Sequence, residues 1–210
     1  MLFRSWRRQA PESLLDSYHD ERLEAAQRNV LVTNRTARFL RPSEPQAQLF
    51  RQATLALAKK HRFARNMVNT GRMAEANTYS RSRACPLGVS VQNVSFQWAN
   101  GRAAQMNDLI HWSDGAMLLL VFGELTQTEI RRLRQMAQQT PLLRSVQVLA
   151  QGQVAQVREN IMDDRGHLRQ ACKAQGRRWA LVRPDAYLVD TGESISAALV
   201  QSLAQAWAFS

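Results

Sequence analysis

The stretch "AMLLLVFGELTQTEIRRLRQMAQQTPLLRSVQVLA", residues 116–150, decides the fold. Its first seven residues form an unbroken apolar run of strand length, as a strand buried on both faces requires. Thr126 and Glu129 then stand at capping-box spacing. Behind them Ile130, Leu133, Met136 and Ala137 recur as the inner face of a helix that Pro141 closes. "LLRSVQVLA" at 142–150 reads as a second strand. A strand, a covering helix and a second strand predict a right-handed parallel crossover.

Downstream, "DDRGHLRQACKAQG" at 163–176 reads as a short helix. "RRWALVRPDAYLVD" at 177–190 reads as two strands folded about Arg183-Pro184-Asp185. Pro184 presets φ for a type I turn, and Asp185 is able to bond back to the chain. "ESISAALVQSLAQAWAF" at 193–209 supplies a last helix, with Ile195, Leu199 and Leu203 on one face. The order β-α-β-α-β-β-α predicts an α/β fold with a mixed sheet and helices on its faces.

Upstream, residues 11–34 read as a helix. Pro11 suits its first turn, and Glu12 and Asp16 favour its N-terminus. Leu14, Leu15, Tyr18, Ala25 and Ala26 share one side, with Arg22 in the middle of it. Arg22 there either snorkels at the edge of a core or pairs with a group outside the segment. After the prolines of "RPSEPQ" at 41–46, a second helix is expected over 46–69. Leu49, Phe50, Ala53, Leu57, Ala64, Met67 and Val68 form its apolar face, and Gly71 its C-cap. Residues 72–115 lose periodicity, with a strand expected within "VSVQNVSFQW" at 89–98. The division that follows is a helical segment over 1–80, a connecting segment over 81–115 and the α/β domain over 116–210.

Composition narrows the function. The 210 residues carry a formal net charge of +11, but the basic residues are scattered and share helices with acids. A solvated surface, or one that meets an acidic protein partner, fits this better than a nucleic-acid site. No apolar run is long enough to span a bilayer, and "MLFRSWRRQA" has no apolar stretch behind it. A cytoplasmic protein with no membrane association is expected. The nine glycines never come closer than seven residues, which excludes both G-x-G-x-x-G and a P-loop. His19, His61, His111 and His167 are dispersed, and Cys85 and Cys172 stand far apart. Neither a zinc site nor a disulfide is therefore expected. "HWSDG" at 111–115 reads as a turn rather than a triad, and Asp163-Asp164 as a helix cap rather than a catalytic pair. Trp98, Trp112, Trp179 and Trp207 read as core or interface residues. No catalytic, cofactor-binding or metal-ligating residue emerges.

Several stretches resemble the flavin-dependent aromatic hydroxylases of the phenol and 3-hydroxyphenylpropionate hydroxylase type. "PESLLDSYHDERLEAAQRNVLVTNRTARFL" at 11–40 resembles the helix that closes that family's FAD domain. "LALAKKHRFARNMVNTGRM" at 55–73 looks like the next helix, and "ACPLG" at 84–88 like the segment leading out of the substrate domain. "DRGHLRQACKAQGRRWALVRPDAYLVD" at 164–190 resembles the family's C-terminal thioredoxin-like domain, with R-P-D the most specific match. A redox thioredoxin carries C-x-x-C after its first strand, where this chain reads "VFGELTQTEI".

The resemblance implies a C-terminal portion of an FAD- and NAD(P)H-dependent monooxygenase, with the family's flavin motifs lying upstream of Pro11. The chain alone is then expected to hold no cofactor and to support packing and homo-oligomer contacts. Its partner would be a flavin-binding domain or subunit, toward which Tyr18 and Arg22 would point. The alternative is a stand-alone, non-catalytic thioredoxin-like assembly module for a separately encoded flavin subunit. Exposed apolar surface is expected on residues 1–80.

Overall fold

The computed structural model describes residues 13–68, 78–79, 85–140, 142–196 and 199. Pro11, Pro141, Gly71, Trp207, the segment "MLFRSWRRQA" and the final helix other than Leu199 lie outside the described residues. The chain divides into two units. One comprises residues 1–21 with 78–210, the other residues 22–77.

The first unit is built on the opening stretch. Its apolar run forms β4 (Met117–Phe122), whose six residues are all buried. Helix α5 (Gln127–Gln139) follows, then β5 (Leu143–Leu149), which pairs parallel to β4 as the crossover requires. The capping box forms as expected: Thr126 accepts from the Glu129 N–H at 3.2 Å, and Glu129 accepts from the Thr126 N–H at 2.8 Å. The expected hairpin is present as β7 (Trp179–Val182) and β8 (Tyr187–Gly192), with β7 antiparallel to β4.

Residues 81–115 do more than connect. They contribute β1 (Val89–Ser90), β2 (Ser95–Trp98), β3 (Ala103–Gln105) and helix α4 (Met106–Trp112). The single strand expected within 89–98 is two strands far apart in the sheet, since β1 pairs with β8 and β2 with β3. A further strand, β6 (Asn160–Met162), extends the parallel run beside β5. The eight-stranded mixed sheet has the order β1-β8-β7-β4-β5-β6-β2-β3.

Alternate residues of β4 supply two cores, because successive side chains leave a strand on opposite faces. Leu118, Leu120 and Phe122 pack with Val146, Ala180, Leu109 and Leu168; the last belongs to the short helix α6 (His167–Ala171). Met117, Leu119 and Val121 pack with Ile130, Leu133 and Met136 of α5 and with Trp179 and Ile195. Trp179 is a core residue as expected, and its Nε1 donates to the Ser194 carbonyl at 2.9 Å. Gly192 is required beside it, because a Cβ there would lie 2.5 Å from the indole ring.

In the second unit run the remainder of helix α1 (Ser13–Leu40), then α2 (Pro45–Ala58) and α3 (Arg62–Met67). The single helix expected over 46–69 is interrupted at Lys59-Lys60-His61, where the chain turns extended at His61. Its expected inner face is largely outside: Leu49, Phe50, Leu57 and Met67 are exposed, while Ala64 is buried. Thr54 is the buried residue of α2, its hydroxyl donating to the Phe50 carbonyl. Spacing groups these apolar residues, but among the described residues of the unit they are left largely uncovered.

Candidate functional site at the Arg183 cluster

Two polar constellations stand out in the first unit. One lies at the turn of the β7–β8 hairpin, the other at the C-terminal end of β4.

The hairpin turn closes through the Ala186 N–H donating to the Arg183 carbonyl at 2.9 Å and the Arg183 N–H donating to the Tyr187 carbonyl at 2.8 Å. Pro184 and Asp185 occupy the central positions, as a type I turn prefers, and Ala186 completes it in the left-handed region at φ 64°. This turn delivers the Arg183 side chain into a buried site. Nη1 donates to Glu21 Oε1 at 2.6 Å and Nη2 to Glu21 Oε2 at 3.0 Å. Nε donates to Asp185 Oδ1 at 3.0 Å, and Nη2 also reaches Asp185 Oδ2 at 2.5 Å. Glu21, 162 residues away on α1, is 1% exposed, and Arg183 is 6% exposed. Burial alone would lower the Arg183 pKa; the hydrogen bonds to Glu21 and Asp185 outweigh it, so the guanidinium is held charged more firmly than usual.

Aromatic rings wall the cluster. The Arg183 guanidinium carbon stands 5.8 Å from the Tyr187 ring centroid, and Tyr187 stacks on Tyr79 with centroids 4.2 Å apart. Cys85 lies nearby and donates its thiol to the Leu188 carbonyl at 3.1 Å. Burial pushes that thiol up to about 11, partly offset by the Arg183 charge, so it is a neutral packing group and no nucleophile. Gly88 has φ 55°, and a Cβ on it would meet the Tyr79 carbonyl oxygen at 2.2 Å.

The second constellation gathers where β4 ends and α5 begins. Arg178 donates Nε to Glu129 Oε1 and Nη2 to Glu129 Oε2, both at 3.1 Å, and Nη1 to the Phe122 carbonyl at 2.6 Å. Nη2 also donates to the Glu124 carbonyl. Burial raises the Glu129 carboxyl, but the Arg178 and Thr126 hydrogen bonds more than compensate and hold it below the usual carboxylate range. This closed staple ties α5 to the end of β7. Arg169 stacks over the Phe122 ring at 4.5 Å; burial lowers its pKa, countered in part by Asp163. Neither place pairs a nucleophile with a base.

The remaining expected positions resolve simply. Asp163 caps α6, accepting from the Leu168 and Arg169 N–H groups at 3.2 and 3.0 Å. Ser113 of "HWSDG" is buried and donates to the Ile110 carbonyl, with Asp114 and Gly115 in left-handed turn positions. Tyr18 is half-buried and Arg22 exposed. Their neighbour Glu21 on α1 pairs with Arg183 of the hairpin. Among the described residues no three His, Cys, Asp or Glu side chains gather as a metal site requires, and no helix is long and apolar enough to cross a membrane.

Together these features define a two-part α/β chain in which a buried ion pair joins its first helix to the hairpin of a mixed sheet. No family model and no curated protein matches the sequence. Solved structures do share the fold. Aklavinone-11 hydroxylase, seen in a ternary complex with FAD and aklavinone, superposes with TM-score 0.62 at 18% identity, over 99% of this chain and 37% of that one. OxyS anhydrotetracycline hydroxylase from Streptomyces rimosus gives TM-score 0.62 at 22% identity, over 97% and 37%. CabE, an aromatic hydroxylase of angucycline biosynthesis, gives 0.61 at 20% identity, over 98% and 38%. The chain thus has the fold of under two fifths of each aromatic hydroxylase it resembles.

Proposed function

We infer that this chain is the C-terminal, non-catalytic portion of an FAD-dependent aromatic-ring monooxygenase, acting in the cytoplasm with a flavin-binding domain or subunit. The carrying observation is that nearly all of it, helices and sheet alike, superposes on under two fifths of each of three aromatic hydroxylases.

In this reading FAD is held by the rest of the assembly and not by the described residues of this chain. Gly88 and Gly192 are the glycines where a Cβ would collide, and there the chain's own Tyr79 and Trp179 fill the space a phosphate or flavin edge would need. The flavin, when bound to the whole assembly, supplies the NAD(P)H-driven hydroxylation. What this chain's residues supply is position. Glu21 and Arg183 tie the first part of α1, which belongs to the sheet's own unit, to the hairpin, and α1 is the helix that in this reading continues from the flavin domain. Tyr18 and Arg22, one turn or less from Glu21, are proposed contacts to that domain. Homo-oligomer contacts belong to the same supporting role.

The test is flavin binding. The purified chain, titrated with FAD, should show no bound-flavin absorption band. Joined to a flavin-binding chain, it should raise that chain's FAD retention and melting temperature. A yellow chain with stoichiometric flavin, or no effect on the flavin chain, would refute the reading.

A further inference from the structure

We propose that the α2–α3 surface is a docking face for an apolar, acid-rimmed surface on the flavin-binding part of the assembly. The proposal rests on the function inferred above and names the face of this chain that meets the partner.

Helix α2 leaves Leu49, Phe50 and Leu57 exposed at 68%, 55% and 44%, and α3 leaves Phe63 and Met67 exposed at 60% and 52%. Phe50 and Leu57 are seven residues apart and Phe63 and Met67 four, so each pair lies on one side of its helix. With Leu55, also exposed, six large apolar side chains on one 24-residue hairpin exceed the isolated exposed residues that ordinary surfaces carry. In a helical unit this small they represent a substantial share of the apolar surface that burial would stabilise.

Charge selects the occupant. Residues 45–68 carry Arg51, Lys59, Lys60, Arg62 and Arg65 and no acidic residue. Residues 22–77 carry eleven Lys or Arg against three Asp or Glu. A second copy would bring the same basic rim against this one, and like charges across an interface are repulsive. A partner with an apolar centre and carboxylates around it would be complementary in both respects. The supply of a partner is also indicated, because more than three fifths of each similar hydroxylase lies outside the matched part.

The first experiment uses the chain alone, by sedimentation velocity across a salt series. At about 0.01 M salt, where charges act over about 30 Å, the basic rims should keep it monomeric; at about 1 M, where they act over about 3 Å, the apolar faces should associate without a fixed stoichiometry. Phe50→Glu with Leu57→Glu should abolish that association, and circular dichroism should be unchanged because both side chains are already exposed. A discrete dimer at low salt would make a second copy the occupant and overturn the proposal, as would a monomer throughout.

The second experiment mixes the chain with aklavinone-11 hydroxylase lacking the 37% that it matches, once that truncated chain is shown to fold and retain FAD. Co-migration is expected, weakened about tenfold or more by the same double substitution. Lys59→Glu with Lys60→Glu should weaken it and flatten its salt dependence. Binding that tolerates both variants overturns the docking face and leaves the function standing. No binding by the unsubstituted chain removes both. Salt-sensitive retention of single-stranded RNA, without flavin-chain binding, would assign the basic rim to nucleic acid instead.

Discussion

Replacing Arg183 by methionine should unfold the sheet unit at markedly lower denaturant, and the reason lies in what is left behind. The guanidinium makes four hydrogen bonds shared between two carboxylates, and Glu21 is 1% exposed. Removing one partner of such a buried pair strands the other charge, at a cost of about 3–5 kcal/mol. Arg183→Met should reach that range, because Glu21 then loses its bidentate partner. Glu21→Gln should cost less, about 1–3 kcal/mol, because Arg183 keeps Asp185. Asp185→Ala should cost about 1 kcal/mol or less, since that side chain is 37% exposed and solvent screens it. The double variant Glu21→Leu with Arg183→Met removes both charges, so its loss should fall short of the sum of the two single losses by about 0.5–3 kcal/mol. Urea unfolding followed by tryptophan emission, to which the buried Trp179 contributes, measures all four. Three kcal/mol corresponds to a melting shift of roughly 6–12 °C in a unit of this size. An Arg183→Met variant within about 1 kcal/mol of the unsubstituted chain, or an additive double variant, would refute the view that this pair fastens α1 to the hairpin.

Other changes test single features. Ala186→Gly should stabilise the chain by about 0.5–1 kcal/mol, because φ 64° strains any residue with a Cβ; a loss of stability in the same melt would contradict that turn geometry. Gly192→Ala should cost about 1–3 kcal/mol by driving a methyl group into the Trp179 ring, with a change in tryptophan emission as its signature. Glu129 has a folded pKa below its unfolded value of about 4.3, so its contribution is complete above that pH and vanishes as pH falls through the folded value. Glu129→Gln should therefore be less stable at neutral pH, and the gap should close in acid; a gap independent of pH would show that the Arg178 staple is not ionic. Cys85 and Cys172, raised to about 11 and about 12, should resist alkylation at pH 8 in the folded chain and react only in urea.

The parts of this fold that were legible in the sequence are those fixed by local pattern. The strand at 117–122, the capping box at Thr126 and the turn at Pro184-Asp185 each carry their signal within a few residues. Strands of two to four residues do not: β1 and β6 are recognisable only by their partners, and β1 finds its own almost a hundred residues downstream. The hairpin stretch 177–190 drew notice for its turn, and the turn did form. Its function as the bearer of Arg183 was out of reach, because Arg183 between Val182 and Pro184 looks locally like any turn-flanking arginine.

The α1 contact shows the same limit in sharper form. On helical spacing Arg22 lies amid Leu14, Leu15, Tyr18, Ala25 and Ala26, a position that suits either a snorkelling side chain or a pairing outside the segment. Its neighbour Glu21, the next residue round the helix and about 100° away, pairs with the hairpin. An apolar stripe reports which side of a helix is buried, but it does not report which charge on its flank has a counter-charge waiting. That depends on Arg183, 162 residues away in the chain, and on a turn whose left-handed closing residue is an alanine. Two buried groups of opposite sign, each costly without the other, are informative together and mute apart. The same logic underlies the docking proposal for the α2–α3 face: six exposed apolar side chains stand among five positive charges, and a partner would bring the apolar and acidic groups that answer both.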